Sequence, residues 1–219
     1  IGELHKDEVR RIAKENDLIT ADKRDSQGLC FIGKVKLPDF LKQKLAPKEG
    51  EIIEIPADAE LYDSAFSSSA DTLTTPARKV NYQPTQGKVV GKHQGAHYFT
   101  NGQRKGLAVG GTPEPLFVIA TDVDKNIVYV GQGKNHPGLY DNALWIKKND
   151  MHWLRPDLTL QAGEQQNYQA RIRYRQPLSA AKLEMMENGL LVTFEEPQFA
   201  ITSGQFVAFY EGDELVGSG

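Results

Sequence analysis

Tyr168-Gln169-Ala170-Arg171-Ile172-Arg173-Tyr174-Arg175-Gln176 is the stretch on which the reading of this chain turns. As an extended strand it alternates with a period of two. Tyr168, Ala170, Ile172 and Tyr174 fall on one face; Gln169, Arg171, Arg173 and Arg175 fall on the other. The first face suits a core. The second places arginines at intervals of about 6.6 Å, close to the spacing of consecutive phosphates. From Tyr168 to Lys182 the basic residues are Arg171, Arg173, Arg175 and Lys182, with no acid. From Leu183 to Gly219 come Glu184, Glu187, Glu195, Glu196, Glu211, Asp213 and Glu214, with no lysine or arginine. Two readings follow. The arginines form a cationic ladder for a polyanion, or acidic neighbours in the same sheet balance them.

Outward from that stretch the signals are strands. Leu183–Glu187 and Leu190–Phe194 flank Asn188-Gly189, a hairpin dipeptide whose two residues tolerate positive φ. Gln205–Tyr210 and Glu214–Val216 flank Glu211-Gly212-Asp213. Leu116–Thr121 and Ile127–Val130 flank Asp124-Lys125-Asn126. Ala143–Ile146 and Met151–Leu154 are shorter candidates. Many short strands with evenly spaced turns predict a small closed barrel or sandwich. Toward the start the pattern changes. Leu4, Val9, Ile12 and Ala13 approximate a helical stripe, Asp7 and Glu8 suit the helix start, and Lys14 suits its end. A second helical piece is expected at about Pro38–Leu45, opened by Pro38 and stopped before Pro47. Between Ser64 and Thr75 seven of twelve residues are Ser or Thr. Such a composition buries little, so residues 56–86 read as a surface insertion. The expected fold class is therefore mainly β: a short helical N-terminal remnant, a small β-rich central domain and a C-terminal small β-barrel.

Composition narrows the function classes. The 219 residues are 39% hydrophobic and 25% charged, the balance of a soluble globular protein of one or two domains. No apolar run approaches the length of a membrane span. The net charge of −3 means that a polyanion would be held by local basic patches. A single cysteine, Cys30, excludes an internal disulfide and a cysteine-cluster metal site, and fits a reducing, cytoplasmic setting. The chain starts at Ile1 on a charged segment that is neither a signal nor a transit peptide, and reads as a piece of something longer.

Three features carry candidate chemistry. Cys30 precedes Phe31 and Ile32, which suits a small buried hydrophobe. It also follows Lys23 and Arg24 and a turn at Gly28, which suits a presented thiolate. Gly87–Gly111 holds Lys88, Lys92, Arg104 and Lys105 and no acid, among glycines that let a backbone approach a partner or turn tightly. Its Gly102-Gln103-Arg104-Lys105-Gly106 is not a phosphate-cradling loop, because the spacing is wrong and no Ser or Thr follows the lysine. His93 and His97 lack a third ligand nearby, so no metal site is expected. The third feature is the arginine stretch itself.

Taken in order, several motifs resemble one known family. They are Asp25-Ser26-Gln27-Gly28-Leu29-Cys30-Phe31-Ile32-Gly33, Gly102-Gln103-Arg104-Lys105-Gly106-Leu107, Val128-Tyr129-Val130-Gly131, Arg171-Ile172-Arg173-Tyr174-Arg175-Gln176, and Gly204-Gln205 through Phe209-Tyr210-Glu211-Gly212-Asp213. Together they are similar to the bacterial tRNA-specific 2-thiouridylases, from about Leu4 to Gly217, broken by the Ser/Thr-rich stretch. The resemblance implies a three-part enzyme. Residues 1–30 would be the end of an ATP-pyrophosphatase-type domain, 31–150 the central domain with its insertion at about 56–86, and 155–219 the tRNA-binding barrel. It implies that the whole enzyme uses ATP, with Mg, to activate the C2 oxygen of the wobble uridine. Sulfur from a cysteine persulfide then replaces that oxygen.

The same resemblance assigns residues. Cys30 matches the persulfide-bearing cysteine; the cysteine that resolves it by forming a disulfide would precede Ile1. Arg173 and Tyr174 match a tRNA-contacting pair and Gln205 a further contact, with Arg171, Arg175, Arg104 and Lys105 as candidate basic contacts. Strict alternation sets Tyr174 opposite Arg173, so either the strand ends or bulges there, or Arg173 alone reaches RNA. No ATP-binding residue and no bound cofactor are expected in this chain. The expected partners are the tRNA anticodon arm and a persulfide sulfur-donor protein, with no membrane and no DNA. The chain by itself is expected to be inactive in thiolation. Two other readings stand beside this one: a non-catalytic RNA-binding barrel module, and a sulfur carrier that binds no RNA.

Overall fold

Charge placement sets the first helix. In the computed structural model, which describes residues 2–23, 43–62 and 80–219, α1 runs Lys6–Glu15 with Asp7 and Glu8 in its first turn and Lys14 in its last. Arg11 Nη1 pairs with Glu15 one turn on at 2.6 Å. Asn16 Nδ2 donates to the Ile12 carbonyl at 2.8 Å, satisfying one of the acceptors that a helix end leaves open. The helix belongs to a compact unit, 1–46, separate from a second unit, 47–219. Cys30, most of the piece expected at Pro38–Leu45, and the Ser/Thr-rich run at 64–75 lie outside the described residues.

The second unit begins with a four-stranded sheet of order β2-β1-β4-β3, formed by β1 (Gly50–Glu54), β2 (Lys88–His93), β3 (Leu116–Asp122) and β4 (Ile127–Gln132). β3 and β4 are the expected hairpin, each slightly longer than its apolar run. β1 lies antiparallel to β2 but parallel to β4. Ile127, Val128, Tyr129 and Val130 are all buried, because the sheet is covered on both faces. Ile53, Ile55, Phe117 and Tyr129 pack on one side; Ile52, Val118, Val128 and Val130 pack on the other. Asn126 takes φ +56 at the β3–β4 turn. Its side chain is buried and fully employed: Oδ1 accepts from Ala96 N at 3.0 Å, and Nδ2 donates to the Lys48 and Glu49 carbonyls at 3.0 and 2.9 Å.

Seven further strands make the second sheet: β5 (Tyr140–Lys147), β6 (His152–Trp153), β7 (Gln165–Arg171), β8 (Ser179–Met186), β9 (Gly189–Phe199), β10 (Ala208–Glu211) and β11 (Glu214–Ser218), in the order β5-β9-β8-β7-β10-β11-β6. Its two outer strands are consecutive in the chain, joined through residues 148–151. A flat sheet of this size would hold them about 29 Å apart, whereas that link spans at most about 18 Å. The sheet therefore curls toward closure. Gly219, just past β11, meets β5: a Cβ there would lie 2.5 Å from Ile146 Cγ2. Tyr168, Ala170, Leu183, Val192, Phe194, Phe209 and Val216 fill the interior. The barrel expected from the strand spacing is thus present as a curled half-barrel, in a mainly β chain.

Two local expectations change. β7 ends at Arg171, so the stretch to Gln176 is not one strand and the three arginines do not form a regular ladder. The β8–β9 turn is Glu187-Asn188, with Met186 opposite Gly189, and Gly189 does not take positive φ. Gly189 is needed for a different reason. A Cβ on it would lie 2.2 Å from the Ile146 carbonyl of β5.

β9 also changes partners along its length. Its first half pairs with β8 and β5; then the register slips, and Phe199 and Gln198 pair with Tyr140 and Asp141. Pro197, which has no N–H to give a ladder, lies in the slipped segment. The slip carries Phe199 out of the barrel to pack, with Tyr140, against the core of the four-stranded sheet.

Candidate nucleic-acid interface

Alternation holds along β7 through Ile172 and then stops. Tyr168, Ala170 and Ile172 are buried; Gln169 is exposed and Arg171 half-buried. At Arg173 the chain turns. Gln176 N donates to Arg173 O at 3.2 Å, closing a four-residue turn with Arg175 in its third position at φ +68. That conformation is one glycine usually supplies. The turn is pinned from inside. Gln176 Nε2 donates to the buried Gln198 Oε1 at 2.6 Å, and Ile172 N donates to Gln176 Oε1 at 3.3 Å. The pinned turn pushes Tyr174 outward, leaving it 86% exposed.

Across from this turn lies the Gly204–Tyr210 segment. Val207 and Phe209 are buried, which sends Phe206, Ala208 and Tyr210 to the other side. Together the two segments line an open cleft of about 520 Å³, whose walls include Arg171, Arg173, Tyr174, Gln205, Phe206 and Tyr210. Phe206 is 74% exposed there. Arg171 stacks its guanidinium over the Tyr210 ring at 4.6 Å, and Arg175 does so over Tyr174 at 5.2 Å. Arg171 Nε is buried without a hydrogen-bond partner, a donor left open beside the cleft.

The arrangement answers the question of charge balance. Among the described residues no carboxylate pairs with Arg171, Arg173 or Arg175. Glu214 pairs instead with Arg155 at 2.7 Å, which also holds Asp157 at 2.6 Å. Glu184 reaches Lys182 on its own strand at 3.7 Å. The hydrogen bonds that Arg155 donates to Asp157 and Glu214 raise its pKa, the mark of a guanidinium whose charge is already partnered. Arg173 differs. Burial lowers its pKa, and it donates from Nη1 to the Phe199 carbonyl at 2.7 Å and from Nη2 to the Ala200 carbonyl.

The residues expected at the interface thus separate into groups. Arg171, Arg173, Tyr174 and Gln205 share the cleft, with Arg175 at its rim on the turn. Arg104 and Lys105 are exposed on another loop, 99–107, which lies along the free edge of β3: Gly102 N donates to Val118 O at 2.7 Å and Val118 N to Gln103 O at 2.9 Å. Gln103 organises that loop, with Nε2 donating to the Lys105 carbonyl at 2.8 Å. The Gly102 amide is committed to Val118, so it is not open to a ligand. Phe206 and Tyr210 were missed as site residues. Their signal was present, as the outward partners of the apolar alternation at Val207 and Phe209. His93 and His97 serve packing: His93 lies edge-on to Phe99 and accepts from Gly95 N at 2.9 Å, and His97 lies against Tyr98.

The chemistry of such a surface suits single-stranded or distorted nucleic acid. Unpaired guanidinium groups meet phosphates, and exposed aromatic faces accept bases. Comparison with known proteins points the same way. Family models match in three consecutive blocks: a tRNA methyl transferase HUP domain over residues 1–34, a tRNA methyl transferase PRC-barrel domain over 73–132, and an aminomethyltransferase β-barrel domain over 145–219. The chain is 61% identical to the tRNA-specific 2-thiouridylase MnmA of Christiangramia forsetii and 59% identical to that of Flavobacterium johnsoniae. Each alignment covers all of this chain and 56% of the relative. With the enzyme of the same name from Karelsulcia muelleri the identity is 48%, over all of this chain and 55% of the relative. The chain spans about half the length of the curated relatives it matches.

Proposed function

We propose that this chain, which belongs to the tRNA-specific 2-thiouridylase family along its whole length, supplies the tRNA grip and the sulfur-bearing cysteine of an enzyme that 2-thiolates the wobble uridine. The observation that carries the reading is the cleft: arginines without acid partners beside two exposed aromatic rings. Arg171, Arg175, Arg104 and Lys105 meet phosphates, which positions the tRNA. Tyr174 and Phe206 stack on unpaired bases of the anticodon arm, and the exposed Gln205 adds a polar contact in the cleft. The target base is turned out of its stack toward the catalytic part, since chemistry at C2 needs access to the ring.

Three parts share the work in the whole enzyme: a nucleotide-binding domain ending near residue 30, a central domain after it, and the barrel, whose sheet takes in β5 from Tyr140 onward. The C2 oxygen attacks the α-phosphate of ATP in the first part, giving an adenylate and releasing pyrophosphate. Cys30, as a persulfide, is the nucleophile: its terminal sulfur forms the new bond to C2, and AMP departs with the oxygen. A persulfide suits this role because it ionises more readily than a thiol and attacks better. Its sulfur comes from a donor protein, and a second cysteine elsewhere in the enzyme closes a disulfide with Cys30 to free the product. The setting is the cytoplasm.

Binding of tRNA by the chain across about 50–200 mM salt tests the grip. Affinity falls steeply with salt if phosphates are held; a flat response favours the sulfur carrier that binds no RNA. Joining the chain to the part of a curated relative that it does not span, and substituting Cys30→Ser, tests the chemistry. Thiolation is abolished while tRNA binding is kept. Undiminished thiolation would leave only the RNA-binding module.

A further inference from the structure

We infer that Arg173 is a positioning residue for the tRNA grip: its guanidinium fixes the Phe199–Ala200 bend, and through that bend the loop that presents Arg104 and Lys105. The inference rests on the tRNA-binding reading above. Arg173 spends Nη1 and Nη2 on two adjacent carbonyls, those of Phe199 and Ala200. A planar fork suits that task; an ammonium, a point charge on a flexible stem, does not reproduce it.

The bend needs holding. Ala200 has φ +52, a region that residues with a side chain seldom occupy, and it is buried. Its amide donates to the Leu139 carbonyl at 2.6 Å, and its carbonyl also accepts from Thr202 Oγ1 at 3.0 Å. Gly102 rests directly on it. At φ +80, a Cβ on Gly102 would stand 2.7 Å from Ala200 Cβ and 2.8 Å from Phe199 Cε1. Asn101 Nδ2 adds a contact to the Ile201 carbonyl at 3.4 Å. Arg104 and Lys105 follow two and three residues after Gly102. They are exposed and make no ion pair among the described residues. A continuous path therefore runs from Arg173 to the bend, from the bend to Gly102, and from Gly102 to two free cations. Arg173 lies at the cleft end of this path and the cations at the other, so one side chain sets the spacing between two phosphate-binding points.

The test uses the full chain and keeps the charge. Arg173→Lys removes the fork and retains a cation. Its tRNA affinity is expected to fall about fivefold or more, the scale of lost charge-assisted hydrogen bonds. In an Arg104→Ala/Lys105→Ala background the same substitution is expected to add little, because it acts through those two residues. Hydrogen exchange across 99–107 is expected to quicken in Arg173→Lys without any tRNA present. Wild-type affinity in Arg173→Lys, a loss fully additive with Arg104→Ala/Lys105→Ala, or unchanged exchange across 99–107 would each overturn the inference. If Arg173→Lys does not fold, Asn101→Ala probes the joint from the loop side. It is expected to speed the same exchange and lower affinity; wild-type behaviour in both counts against the inference. Should the parent chain bind tRNA without salt dependence, the functional reading fails, and the exchange measurement still decides the clamp by itself.

Discussion

Tyr174 and Phe206 present most of their rings to solvent, an arrangement that gains nothing for folding and is suited to stacking. Tyr174→Ala and Phe206→Ala are therefore expected to weaken tRNA binding by about 1–3 kcal/mol per stacked base, with the melting temperature unchanged. Titration with tRNA beside thermal melting checks this; a stability loss without an affinity loss would count against the cleft. Arg175 holds a left-handed conformation that costs a residue with a side chain about 1–2 kcal/mol. Arg175→Gly is expected to melt no lower than the parent and to bind tRNA more weakly, which marks a residue kept for its charge at the expense of its turn. At this scale the motif order named Arg173, Tyr174 and Gln205, and these line one cleft. The sequence was silent on what each side chain touches. Nothing in the string Arg171 to Arg175 says that the middle arginine is taken by protein carbonyls while its neighbours stack on tyrosines. That depends on Phe199, Ala200 and Tyr210, which arrive from distant strands.

Strand positions followed from alternation, because a half-buried strand must send successive side chains to opposite faces. Strand ends did not. β7 stops at Arg171 although the apolar-polar pattern continues to Gln176, since Arg173 and Gln176 find better partners on β9 than a straight ladder offers. Gly189 teaches a related lesson. Its hairpin was legible, but its glycine answers to β5 rather than to the turn. Gly189→Ala is expected to destabilise the barrel by about 1–3 kcal/mol or more, because backbone of a neighbouring strand stands where the methyl group would go. Gly212→Ala, where φ is +58 and nothing lies within 4 Å, is expected to cost only its backbone strain, about 1–2 kcal/mol. Denaturant unfolding of the two variants ranks them; the reverse order would refute the close approach. β1 was not foreseen, because a parallel pairing with β4 joins segments that share no local signal.

Within the second unit the two sheets share a joint, and His136 lies under it. His136 is 2% exposed, its Nε2 meets the Ile55 carbonyl at 3.0 Å, and its Nδ1 accepts from Gly138 N at 3.2 Å. The ring is therefore neutral, and burial holds its pKa below the ordinary 6.5. Burial also lowers that of His93. Because the unfolded chain takes up these protons first, stability is full above about pH 6.5 and falls as the pH drops below it toward the depressed folded values. Melting temperature is expected to decline over that range, and to decline less in His136→Gln, which starts from a lower stability; an equal decline in both would remove His136 from the account. Among the described residues no helix is long and apolar enough to cross a membrane. The sequence by itself determined the mainly β class, the curled C-terminal sheet, the family resemblance and the basic character of one stretch, because periodicity, turns and motif order are written locally. Tertiary structure alone decided which arginines stay free for a ligand, which one is spent on the protein, and which aromatics join them. Those outcomes depend on carbonyls and carboxylates brought close only when the sheet curls and β9 crosses to the smaller sheet.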